Sequence, residues 1–205
     1  MKWVDITHNF DGQTPVYPGD LGTSLIKQKS IENDRYNAYV LRASLHTGTH
    51  IDVPMHLLHD TRMAKDFSVD RFSGNGVFLD VRNEKVISMK PEYRGRVRED
   101  DVVLLYTGCD THFHEKEYFT NHPVVGEDFA EFVVGRKIKM LGMDLPSPDP
   151  PPFSVHKALL QNGIFLLENL ANLGALVGME KFEVIALPLK ISAEASPVRA
   201  VCREI

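Results

Sequence analysis

Between Leu145 and Pro152, five of eight residues are proline. Proline fixes φ and has no amide hydrogen, so this stretch can enter neither a helix interior nor a central strand. It is either a linker between domains or a rigid loop inside one domain of the 205-residue chain. A chain of that length can bury a substantial core. The sequence on either side of the loop is too short and too strand-rich to form separate domains. A single domain over residues 1–205 is therefore expected.

Strand signals dominate that chain. Tyr39–Leu45 mixes β-branched, aromatic and alternating polar residues. Val77–Val81, Val102–Tyr106, Lys137–Leu141 and Ile164–Leu167 are short apolar runs of the kind buried on both faces, and Val184–Leu189 and Pro197–Val201 continue the style. Helices are fewer. Glu127–Val134 has acidic residues in its first turn and Gly135 as a stop. Phe153–Asn162 has Ser154 as N-cap and Gly163 just beyond its end. A third helix is expected to extend from Leu166 to Leu176. Strands interleaved with a few helices predict a mixed α/β fold.

His46, His50, His56 and His59 fall within fourteen residues, far denser than an even scatter of the nine histidines would give. Asp52 lies among them, and imidazole with carboxylate suits zinc or a similar first-row ion. A helix would carry Asp52 away from His46, and Gly48, two threonines and Pro54 argue against one. A flat strand would put His46 and His50 about 13 Å apart. The trio His46, His50 and Asp52 can converge only if a strand ends at Leu45 and the chain turns, with Gly48 supplying the freedom. His59, His8, His112, His114 and His122 are read as ordinary hydrogen-bonded or surface histidines.

Further ligands must come from elsewhere. Glu168 follows the apolar run Ile164–Leu167, where a carboxylate is costly unless paired or metal-bound. Its alternative is an exposed start to the following helix. His156 lies in the first turn of a predicted helix, where the dipole disfavours a cationic ring. A neutral, ligating imidazole and a solvent-facing helix residue are both compatible with that position.

Composition narrows the rest. A net charge of -5 with scattered basic residues gives no reason to expect a nucleic-acid partner. The segment Met1–Asp5 lacks the apolar stretch of a signal peptide, and no run approaches the length of a membrane helix. Cys109 and Cys202 are too few for a disulfide framework and lack C-x-x-C spacing, so inert buried thiols in a cytoplasmic protein are expected.

The segment His46-Thr47-Gly48-Thr49-His50-Ile51-Asp52-Val53-Pro54-Met55-His56 resembles the H-x-G-T-H-x-D-x-P-x-H signature of the cyclase family. That family includes bacterial kynurenine formamidases and isatin hydrolases. Tyr17-Pro18-Gly19-Asp20, Asp144–Asp149, His156 with Glu168 twelve residues on, and Ser196–Arg199 extend the likeness along the chain. The resemblance implies a swivelling β/β/α domain with a mixed sheet, paired as a homodimer. It implies that His46, His50 and Asp52 hold one metal, that His156 completes a second site with Asp52 and Glu168 shared, and that His56 is the acid/base residue. Two divalent ions are implied, zinc being usual in the formamidases and manganese occurring in isatin hydrolases. Tyr17 stands where the formamidases usually carry tryptophan, so the substrate-binding aromatic platform survives with altered size and hydrogen bonding.

The expected reaction is hydrolysis of an amide of a small molecule, an aryl formamide or a cyclic amide, by a metal-activated hydroxide. The leaving nitrogen needs a proton, which His56 can supply. Two rivals stand beside it. One is a metal-dependent cyclase or dehydratase without net hydrolysis. The other is a non-catalytic metal- or ligand-binding protein, against which the presence of His56 counts.

Overall fold

The computed structural model describes residues 2–205. Its strands, in chain order, are β1 (Trp3–Asp5), β2 (Ser24–Lys29), β3 (Ala38–Arg42), β4 (His50–Asp52), β5 (Ser73–Asp80), β6 (Val86–Ile87), β7 (Val102–Tyr106), β8 (Val124–Val125), β9 (Met140–Met143), β10 (Phe165–Glu168), β11 (Phe182–Ile185), β12 (Ala195–Pro197) and β13 (Val201–Glu204). The α-helices are α1 (Ile31–Asp34), α2 (Glu127–Arg136) and α3 (Ser154–Gln161), with several short 3₁₀ turns between elements.

Nine strands form one mixed sheet in the order β1-β13-β11-β5-β7-β9-β10-β4-β12. Its centre, β5-β7-β9-β10, is parallel, and antiparallel strands flank it on both sides. The sheet curls. β12 and β13 lie towards opposite edges, yet only Val198–Ala200 separates them in sequence. Thr7 bridges Leu170, Val198 donates to the Thr49 carbonyl, and Ile6 donates to that of Ala200, tying the two edges together.

β7, β9 and β10 are buried on both faces, as their largely apolar sequences require. Val102 and Leu104 of β7 enter one apolar cluster, while Val103 and Leu105 enter another, shared with Phe129 and Val133 of α2 and Leu159 and Leu160 of α3. β10 alternates in the same way: Phe165 and Leu167 point to the first cluster, Leu166 to the helical side. Gly76 of β5 has no room for a side chain, since a Cβ there would lie 1.9 Å from the buried ring of Phe182. The result is the expected mixed α/β architecture, a large curled sheet with few helices.

Several boundaries differ from the sequence reading. The strand expected over Tyr39–Leu45 ends at Arg42, because its only partner is the isolated β2 and that pairing ends at Ser24. β9 starts at Met140 rather than at 137, since Lys137 is the left-handed residue closing α2 (φ 55°). α2 runs through Gly135, which does not stop it. The helix expected over Leu166–Leu176 does not form beyond a 3₁₀ turn at Leu173–Leu176. Asn169 and Asn172 take positive φ there, and the amides of Asn169 and Leu170 return to the carbonyls of Leu145 and Met143. The stretch Val184–Leu189 is strand only to Ile185, and Pro197–Val201 is divided between β12 and β13 by the crossing between edges. Ser154 is not the N-cap of α3; the Asp149 carboxylate caps it, accepting from the amides of Val155 (2.8 Å) and His156 (3.2 Å). Gly163 does follow the helix, with φ 74°.

Candidate metal centre and active-site pocket

The centre follows from strand register. On β4, His50 and Asp52 are two residues apart and share a face. β10 runs antiparallel beside it, with Glu168 opposite His50 and Leu166 opposite Asp52. Directly opposed side chains on one face lie within contact range. Leu166 points to the helical side, so Glu168 does too, towards the buried His156 on the first turn of α3. Gly48 (φ 67°) reverses the chain just before β4 and returns His46 over the same face. A Cβ at Gly48 would press on the Phe10 ring at 3.3 Å besides straining the turn. Pro54 opens a 3₁₀ turn that ends at His56 and brings that ring back as well.

The other five expected residues of the centre gather around Asp52, which is fully buried. His46 Nδ1 lies 3.0 Å from Asp52 Oδ1, and His50 Nε2 lies 3.5 Å from it. On the other oxygen, Oδ2, His156 Nε2 lies at 3.4 Å and His56 Nε2 at 3.8 Å. Glu168 meets His50 Nε2 at 3.5 Å and His156 Nδ1 at 3.9 Å. Two compact donor sets result: His46, Asp52 and His56, and His50, Asp52 and Glu168. They group the residues differently from the sets the sequence suggested, with Asp52 common to both.

The donor chemistry fits a cation. His50 Nε2, both oxygens of Asp52, both ring nitrogens of His156 and Glu168 Oε1 are buried without a hydrogen-bond partner. Native proteins rarely leave so many buried polar atoms unpaired in one place. Electrostatics agree. Burial pushes the His50 pKa down to about 4, against the pull of Asp52. Burial raises the Glu168 pKa well above the usual carboxylate range, and the nearby Asp52 and Asp149 add to it. Burial also opposes the charge on Asp52, but His50 and His46 hold its pKa well below normal. Burial is the largest single influence on His46 and lowers its pKa, but Asp52, Glu194 and Asp20 together outweigh it, so the pKa rises. A divalent ion reverses this logic for Glu168 by favouring its charged form.

Above the centre opens a cavity of about 190 Å³. His46, His50, His56, His156 and Glu168 form its floor, and Tyr17, Leu57, Phe119, Pro146 and Phe153 its walls. Tyr17 meets Phe119 edge to face, with ring centroids 6.0 Å apart. Phe119 and Phe153 escaped the sequence reading, because an aromatic in a loop carries no periodic signal. Glu194 was also missed; it faces His46 Nε2 at 3.5 Å. The other histidines stay outside. His59 and His114 are exposed, His112 pairs with Glu115, His122 bonds the Pro123 carbonyl, and His8 stacks on Phe113 at 3.7 Å.

A buried histidine–carboxylate centre under an aromatic-walled pocket belongs to the class of metal-dependent hydrolases, and comparison with known proteins agrees. The Cyclase family model matches residues 4–150. A kynurenine formamidase of Bacillus mycoides is 33% identical over 209 aligned residues, spanning 100% of this chain and 98% of the relative. The fold is shared with an isatin hydrolase solved with the product analogue thioisatinate, at TM-score 0.87 and 22% identity over 98% of this chain and 91% of that one. It is also shared with a protein described as a potential metal-dependent hydrolase with cyclase activity, at TM-score 0.80 and 21% identity, covering 100% of this chain and 98% of that one. The chain belongs to the cyclase family, and it is a hydrolytic enzyme. Among the described residues no helix is long and apolar enough to cross a membrane.

Proposed function

We propose that residues 1–205 act as one unit, a metal-dependent amidohydrolase of small aryl amides, aryl formamides foremost. The observation that carries this reading is the set of buried, unpaired donor atoms around Asp52, open on one side to an aromatic-walled cavity. His46, His50, Asp52, His156 and Glu168 would hold two divalent ions, with Asp52 between the two donor sets. Imidazole and carboxylate donors suit zinc and tolerate manganese. Such ions supply Lewis acidity, which makes water nucleophilic at neutral pH and polarises a carbonyl.

The chain's own residues do the rest. Tyr17, Phe119 and Phe153 accept a flat ring and present the amide carbonyl to the floor of the cavity. His56 is the more open of the histidines facing Asp52, its side chain 25% exposed against 2% for His50. From there it can carry a proton to the departing nitrogen, which is otherwise a very poor leaving group. A homodimer is part of the proposal. The β2–β3 ribbon stands apart from the main sheet, and one of its faces exposes Leu25, Tyr39 and Leu41, an apolar surface of the kind that seeks a partner. A cytoplasmic location is supported by the two free cysteines.

The test is turnover of N-formylated anilines and of cyclic aryl amides by protein loaded with zinc or manganese. The expected result is ring opening or formate release that a chelator abolishes and added metal restores. Failure to turn over any such amide in the loaded state would contradict the proposal.

A further inference from the structure

A metal ligand must present a defined nitrogen, and for His50 the structure contains the device that selects it. His50 Nδ1 lies 2.9 Å from the Gly48 carbonyl oxygen. A carbonyl only accepts, so Nδ1 carries the proton and Nε2 keeps its lone pair. That Nε2 faces Asp52 and Glu168, each at 3.5 Å. The same Gly48 carbonyl accepts a second bond, from Asn169 Nδ2 at 3.1 Å. The Asn169 amide is oriented in turn, because the Tyr118 hydroxyl donates to its Oδ1 at 2.8 Å. Asn169 also holds the next residue of the loop, its main-chain carbonyl accepting from Thr49 Oγ1. Tyr118, Asn169 and His50 are all buried, at 2%, 3% and 1% exposure.

We infer that Tyr118 and Asn169 are positioning residues for the centre: they fix the Gly48 carbonyl against His50 Nδ1 and so hold the ring and tautomer that bind metal. The inference rests on the proposed metal site. Residues that orient a ligating histidine commonly alter metal affinity by about 10–100-fold when replaced. A merely structural network makes a different forecast. It lowers the stability of the metal-free and metal-loaded protein together and leaves metal affinity alone.

The experiment compares wild type with Tyr118→Phe and Asn169→Gly. Phenylalanine removes one oxygen and frees the Asn169 amide to rotate. Glycine removes the amide while tolerating the positive φ of 52° at this position. Zinc affinity is measured by competition with a chromophoric chelator, the visible bands of cobalt(II)-loaded protein are recorded, and melting is followed with and without zinc. Both variants are expected to bind zinc about 10–100-fold more weakly. Their cobalt bands should shift, and the rise in Tm on adding zinc should shrink. If Asn169→Gly does not fold, Tyr118→Phe alone decides. Wild-type zinc affinity and unchanged cobalt bands in the variants overturn the inference, even if both melt at lower temperature. A wild-type protein that binds neither metal contradicts instead the reading of the centre.

Discussion

His56 sits where two roles compete, since its Nε2 approaches Asp52 yet its ring borders the cavity. The proton-transfer role predicts that His56→Ala keeps its metal while amide turnover falls by about two to four powers of ten. Activated aryl esters, whose leaving groups need no proton, should lose far less. Loss of metal, or equal losses on both substrates, would reassign the residue as a ligand. His8 gives a prediction about stability. Burial pushes its pKa down to about 4 from an ordinary 6.5. Between those values the unfolded chain binds the proton and the folded chain does not, so stability falls as pH drops from 6.5 towards 4. Urea titrations of metal-free His8→Gln should show a shallower loss over that window than wild type; identical slopes would contradict this. Residue by residue, the centre was largely legible, because His46, His50, Asp52 and His56 lie close together in sequence. Asn169, Tyr118 and Glu194 were not, because their roles exist only once β10, a surface turn and the segment before β12 meet the His46–Asp52 loop.

Helix α3 shows what a single cap does for the centre. Asp149, from the proline loop, accepts from the amides of Val155 and His156 and so sets where the helix starts and where the His156 ring points. Asp149→Ala should lower stability by about 0.5–2 kcal/mol. Metal affinity should fall with it, checked by denaturant titration and chelator competition on the same samples. Weaker folding with unaltered metal affinity would show that α3 holds His156 without this cap. On the sheet, Gly76→Ala drives a methyl into the Phe182 ring and should cost about 1–3 kcal/mol. A change near zero in chemical denaturation would mean that β5 and β11 can separate at little cost. The existence of β7 and β10 could be read from their apolar runs, since burial on both faces leaves that signature, while β5 and β9 showed only shorter apolar stretches. Their ends could not. Lys137 closes α2 in a left-handed conformation on the helix's own Val133 and Val134 carbonyls, and the turn after β10 is set by the carbonyls of Leu145 and Met143 and the carboxylate of Asp110, which no local pattern at the turn records.

At the scale of the whole molecule, the curl of the sheet brings β4, β10 and α3 together, and the β2–β3 ribbon is left uncovered. The mixed α/β class was readable from the interleaving of strands and helices, but the curl was not, because it depends on the three-residue crossing from β12 to β13. The ribbon predicts association: replacing both Tyr39 and Leu41, which share one face, with glutamate should convert a dimer to a monomer in sedimentation velocity. A wild-type protein that sediments as a monomer would contradict the pairing. The central claim is that the unpaired donors around Asp52 exist to hold metal. Its most direct test is anomalous scattering from crystals grown with zinc or manganese, recorded on both sides of the absorption edge. The account predicts peaks between Asp52 and the rings of His46, His50 and His156, lost in crystals of Asp52→Asn. A metal-saturated crystal with no anomalous peak at Asp52 would contradict it.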